Sequence, residues 1–164
     1  MEKHDIKKYA EIGVWRARGI RAILKNYHKL DEYWAIDNWA YIQDGHKHMD
    51  RRKEDDSSYW DGLYFYACQL MRWFPNLHVV RLSSVEAARL FPPEYFDMVF
   101  IDADHWYYNV VADIKAWEPL VKKNGVFCGH DYISSRHYEV KKAVHDTIGE
   151  ENIEVLDGSI WLRK

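Results

Sequence analysis

The chain has 164 residues, a formal net charge of −3 and a pI near 6.3. That length fits one domain with a real core, and the charge balance carries no global nucleic-acid signature. No apolar run reaches the length of a bilayer span, MEKHDIKK at the N-terminus lacks a signal peptide's apolar centre, and Cys68 and Cys128 lack metal-type spacing. These features predict a soluble, cytoplasmic protein with free thiols and no membrane partner.

Tyr9 to Trp15 (YAEIGVW) reads as a short strand ending near Gly13. Ile20, Ile23, Leu24 and Tyr27 follow at helical spacing. Tyr33 to Ile36 is a second strand closing on Asp37. The stretch from about 40 to 59, with DGHKHMDRRKEDDSS inside it, has no clear period and is expected to be a charged, lid-like loop. His46, His48 and Asp50 alternate within it, but with no further element to fix their geometry they read as solvated. Leu63, Tyr66, Ala67, Leu70, Trp73 and Phe74 mark an amphipathic helix stopped by Pro75.

His78 to Leu82 predicts a third strand, and Ser83-Ser84 with Glu86 predicts a capped short helix broken at Pro92-Pro93. Phe96 to Ile101 is the fourth strand. Val110, Ile114, Trp117 and Val121 mark a helix ended by the Asn124-Gly125 turn, and Val126 to Cys128 the fifth strand. Val140, Ala143, Val144 and Ile148 mark the next helix, which Gly149 can terminate. The chain closes with NIEVL, the turn Asp157-Gly158 and SIWLRK, a strong hairpin signal. Strands alternating with helices predict a mostly parallel sheet covered on both faces, a Rossmann-like three-layer α/β sandwich with a C-terminal antiparallel hairpin. Residues 1–164 read as a single domain without internal repeats.

Four of the predicted strand tips carry special residues: Glu11 with Gly13, Asp37, Asp102 with Asp104 and His105, and His130 with Asp131. In open α/β sheets ligands bind outside the carboxyl ends of the strands, so four such tips on one edge point to a ligand site. Gly13 lets a ligand approach the backbone, and Asp37 offers a carboxylate to a sugar diol. Asp102, His130 and Asp131 form a second subsite, whose charges call for a cation between them or for shifted pKa values. Its oxygens suit Mg²⁺ or Mn²⁺, while a histidine admits Zn²⁺ or Fe²⁺. His105 titrates in the range a general base requires. Asp104 fits a cap for a helix starting near Trp106.

The segments EIGVW, IDNW, FDMVFIDADHWYYNVVADIKAWEPLVKKNGVFCGHDY and VKKAV resemble class I S-adenosylmethionine-dependent methyltransferases, in the branch of small-molecule and macrolide-sugar O-methyltransferases. The resemblance implies a fold ending in an antiparallel strand. It implies that Glu11 and Gly13 face the methionine and ribose part of S-adenosylmethionine, with Trp15 also binding the cofactor. Asp37 and Asn38 would serve the adenosine, Ser84 would lie near the adenine, and Asp102 would sit at the cofactor edge. It further implies Asp102, His130 and Asp131 as ligands of a divalent metal, Mg²⁺ preferred, with His105 and Asp131 catalytic. The partner is then a small-molecule acceptor. Ala17 stands where a second glycine is expected, with Gly19 displaced by two, and Ser83 stands where relatives carry an acid. With the first strand so close to the N-terminus, the charged loop or a second subunit is left to cover the acceptor. These departures keep open a rival class: a degenerate methyltransferase fold acting as a binding or scaffold module, which predicts weak or absent cofactor binding and a stable oligomer.

Overall fold

A computed structural model describes residues 5–40, 57–133 and 138–164. Five strands run parallel: β1 (Lys8–Ile12), β2 (Glu32–Asp37), β3 (Leu77–Arg81), β4 (Phe96–Ile101) and β5 (Val121–Gly129). The sheet is completed by β6 (Ile153–Leu156) and β7 (Ile160–Arg163), in the order β3-β2-β1-β4-β5-β7-β6. Strand β7 lies antiparallel between β5 and β6, which places the predicted hairpin at the sheet edge.

Side-chain alternation along the strands explains the layers. Ala10, Ile12 and Ile36 pack on one face with Ala87 and Ala88 of α3 (Ser84–Ala88), Val110 and Ile114 of α4 (Tyr107–Trp117), and Ala143 and Val144 of α5 (Tyr138–Ile148). Tyr9, Tyr33 and Ala35 point the other way, onto Ile20 and Leu24 of α1 (Arg18–Asn26) and Ala67 and Leu70 of α2 (Ser57–Leu70). Both faces of the parallel sheet are thus buried, as helical crossovers require.

The predicted elements shift at several places, and the helix read through Trp73 and Phe74 already ends at Leu70. Residues 57–59, assigned above to the loop, already belong to α2, while residues 41–56, with His46, His48 and Asp50, lie outside the described residues. The helix read through to Val121 stops at Trp117, and Glu118–Leu120 forms a 3₁₀ turn with Pro119 inside it. The fifth strand starts at Val121 instead of Val126. Its register against β4 jumps from Phe96↔Val121 to Met98↔Val126, so Asn124-Gly125 turns the chain as a bulge within the strand rather than ahead of it.

Strand order reverses at β1, whose neighbours are β2 on one side and β4 on the other. The crevice at such a switch point is where this architecture binds ligands. The tips of β2, β1, β4 and β5 all open toward it. Among the described residues, no helix is long and apolar enough to cross a membrane.

Candidate cofactor cleft and catalytic cluster

A cleft of about 690 Å³ runs along these tips, lined by Glu11, Gly13, Trp15, Asp37, Asn38 and Ser84 at one end and by Asp102, His105, His130 and Asp131 at the other. Every residue singled out for a site in the sequence therefore meets one cavity.

The turn after β1 packs its backbone against the tip of β4. Gly13 has a φ of +89°, and a Cβ there would run into the main chain of Asp102 and Ala103. Its N–H donates to the Ile36 carbonyl at 2.9 Å, while Asp102 N–H donates to the Ile12 carbonyl at 2.7 Å. Ala17, in place of the expected glycine, adopts a left-handed φ of 55° at the N-terminus of α1, so the turn keeps its shape despite the methyl group. Gly19 serves a different purpose: a Cβ there would meet the Glu11 carboxylate. Gly13→Ala combines left-handed strain with a backbone clash, and is expected to cost about 2–4 kcal/mol. Thermal unfolding of the variant checks this; an unchanged midpoint refutes the fit.

Asp37 is more heavily engaged than a free ribose ligand. Its Oδ2 accepts from the N–H groups of Val14 and Trp15, each at 2.8 Å, and Oδ1 accepts from Trp39 N–H at 2.7 Å. Since a carboxylate oxygen accepts about two hydrogen bonds, Oδ1 keeps room for one ligand hydroxyl. The Trp39 indole donates to the Trp15 carbonyl, and Arg81 at the tip of β3 donates to the carbonyls of Asn38 and Trp39. The loops after β1 and β2 are therefore sewn together before any ligand arrives.

Glu11 is buried on the α1 face, where its carboxyl takes a short hydrogen bond from the Tyr33 hydroxyl. Burial raises its pKa to about 8; the Tyr33 bond opposes the rise, and the charges of Asp102 and Asp37 add to it. Farther along, the Ser84 hydroxyl accepts from the Trp117 indole at 2.8 Å and bonds the buried carboxyl of Asp113, which burial raises to about 7. Asp113 was missed in the sequence. The available signal was an acid on the apolar stripe Val110–Ile114–Trp117 of α4. Ser83 is the N-cap residue of α3, but its hydroxyl donates to the Glu86 carboxylate instead of accepting from a backbone N–H as a capping serine would.

At the other end, His105 Nε2 lies 2.8 Å from Asp131 Oδ2. Burial disfavours the imidazolium, but the bond to Asp131 and the charges of Asp102 and Asp104 outweigh it and hold the His105 pKa above its ordinary value. Asp102 is shifted upward, chiefly by burial, with the His130 charge opposing. Asp104 also lines the cleft, and instead of capping α4 itself it organises the turn ahead of it, accepting from the N–H of the N-cap residue Trp106 at 2.7 Å and from the Asn109 amide.

Asp102, His105 and Asp131 can each present one ligand atom, all within 4.8 Å of one another, so their donor set fits a divalent cation. His130, expected among the ligands, directs Nδ1 toward Asp131 at 3.5 Å and Asp102 at 3.9 Å. Its other nitrogen faces Ser159, which the sequence placed only in the C-terminal hairpin, at 3.1 Å.

Parallel strands in this order, one reversed strand, a glycine turn after β1 and acids on the adjoining tips define the class I S-adenosylmethionine-dependent methyltransferase fold. The chain belongs to the methyltransferase-domain family whose profile matches residues 10–132. Among solved structures it resembles a candidate caffeoyl-CoA O-methyltransferase from Staphylococcus aureus, at 12% identity over 98% of this chain and 77% of that one, TM-score 0.66. It also resembles an S-adenosylhomocysteine-bound methyltransferase from Podospora anserina, at 12% identity over 96% of this chain and 71% of that one, TM-score 0.65. A spermidine synthase from Thermotoga maritima aligns at 17% identity and TM-score 0.61; 97% of this chain covers 54% of it, so the chain spans about half that enzyme's length. At these identities the likeness is one of fold. No curated protein is significantly similar in sequence.

Proposed function

We propose that this methyltransferase moves the methyl group of S-adenosylmethionine to a hydroxyl of a small-molecule acceptor, with His105 as the base. The observation that carries the reading is the His105–Asp131 pair, 2.8 Å apart at the edge of the cleft that holds Glu11, Gly13 and Asp37. When bound, the sulfonium supplies an already activated methyl group. The chain's own residues then have only to align the acceptor oxygen and take its proton. Glu11, Asp37 and Asp102 give the cleft acids suited to a cationic ligand, and Gly13 lines it among them. Asp131 orients the His105 ring and stabilises the imidazolium that forms on proton transfer.

Calorimetric titration with S-adenosylmethionine tests the first half: the expected result is saturable heat, and its absence at millimolar ligand overturns the reading. Asp37→Ala is expected to weaken binding about tenfold or more, because it frees the backbone donors of Val14 and Trp15 as well as removing an acceptor.

The convergence of Asp102, His105 and Asp131 favours a second, metal-assisted version. A divalent cation, Mg²⁺ first, held by these side chains would lower the pKa of an acceptor hydroxyl. His105 would then be a ligand and not the base. Turnover that survives exhaustive chelation assigns His105 to proton transfer; turnover restored only by added Mg²⁺ assigns it to the metal.

A further inference from the structure

The C-terminal hairpin does more than close the sheet. Its turn, Asp157-Gly158, has φ values of 50° and 72°, the paired left-handed geometry of a tight hairpin, and delivers Ser159 to the tip of β5. There Ser159 meets the chain on both sides of Asp131. Its carbonyl accepts from Tyr132 N–H at 3.0 Å, and its hydroxyl lies 3.1 Å from His130 Nε2. Asp131 between these two residues is itself held at a left-handed φ of 59°.

We propose that Ser159 is a positioning residue of the site, fixing the His130 ring so that Nδ1–H faces the carboxylates of Asp102 and Asp131. The proton assignment follows from what surrounds the ring. Nδ1 looks at two acid oxygens, 3.5 Å and 3.9 Å away. A bare lone pair there would be repelled by both, whereas an N–H presents its positive end to them. With the proton on Nδ1, Nε2 is an acceptor, and the Ser159 hydroxyl is the donor that satisfies it. His130 is thereby held with Nδ1 toward the acids, and the bond made by one ring nitrogen sets what the other can do. If the site takes a cation through Nδ1, the same hydroxyl can reverse and accept from Nε2–H, so Ser159 serves either state.

The inference deepens the proposed function, since it concerns the same strand tip, yet its test does not depend on methyl transfer. Histidine-selective ¹⁵N NMR of the metal-free protein at alkaline pH reads the tautomer of His130 directly, with His130→Gln to assign the signal. The wild type is expected to show the Nδ1–H form. Ser159→Ala, which keeps the carbonyl bond to Tyr132, is expected to move His130 toward the Nε2–H form, and Ser159→Thr to restore it. An Nε2–H wild type, or a tautomer that ignores Ser159→Ala, overturns the proposal. Should the alanine variant unfold by circular dichroism, the wild-type and Ser159→Thr spectra still decide it, as both must show Nδ1–H. Failed calorimetry with S-adenosylmethionine would instead remove the methyl-transfer reading and leave the tautomer result standing.

Discussion

Asp131→Asn is expected to lower methyl transfer by about 10²–10⁴-fold, the usual worth of a positioned acid–base pair. Asparagine is the informative replacement because Asp131 sits at a left-handed φ of 59°, a conformation that asparagine, among non-glycine residues, tolerates well. The backbone at the β5 tip should therefore survive, along with the Tyr132–Ser159 bond that follows it. What disappears is the charge. Asp131 is the chief group raising the His105 pKa against the opposing effect of burial, so its neutralisation leaves a weaker base that has lost its hydrogen-bonded carboxylate. The dissociation constant for S-adenosylmethionine is expected to stay within about threefold, because the Gly13 and Asp37 loops are sewn together without Asp131. A fall in turnover with unchanged binding identifies an interaction made in the transition state. Turnover close to wild type removes Asp131 from both the base and the metal versions.

The fold was legible because its signals are local. Phe96 to Ile101 reads as a strand from its apolar run alone, and Asp157-Gly158 announces a hairpin from two residues. Where local signals competed, the reading drifted. Asn124-Gly125 does bend the chain, but only pairing with β4 shows that the bend is a bulge within β5. The site was legible as residue types on strand tips, because polar residues ending apolar strands stand out. Their partners were not. Asp37 looks like a free carboxylate until Val14, Trp15 and Trp39 are folded around it. Ser159 is distant in sequence from His130, and an unremarkable serine in a turn carries no mark of what it will touch. Hydrogen-bond partners are set by tertiary packing, whereas strand tips are set by sequence pattern.

Glu11→Gln is expected to stabilise the unliganded protein above pH 8 while leaving it nearly unchanged near pH 5. Burial raises the folded-state pKa of Glu11 to about 8, against an ordinary value of 4.5. The folded chain therefore keeps a proton that the unfolded chain gives up. The stability tied to this group is fully present below the unfolded value and is lost as pH rises through the folded one. Glutamine keeps a carbonyl acceptor for the Tyr33 hydroxyl and cannot ionise. The gain at alkaline pH is expected to be on the order of 2–4 kcal/mol, or roughly 5–10 °C in melting temperature. Asp113, raised to about 7 by burial, is present in both proteins and cancels from the difference. Parallel stability curves for the two proteins across this range would show that Glu11 ionises normally in the fold.

The same substitution is expected to weaken S-adenosylmethionine binding, and that opposition explains the residue. A buried acid with two further acids nearby is a poor choice for an empty protein. It becomes a good one when the ligand brings positive charge into the cleft, since the ionised carboxylate that burial disfavours then gains a partner. Stability surrendered in the unliganded state is recovered on binding, the trade expected where a site is shaped for its ligand instead of for the fold. Glu11→Gln separates the two quantities in one variant: a higher melting temperature without cofactor, and a smaller increase when S-adenosylmethionine is added.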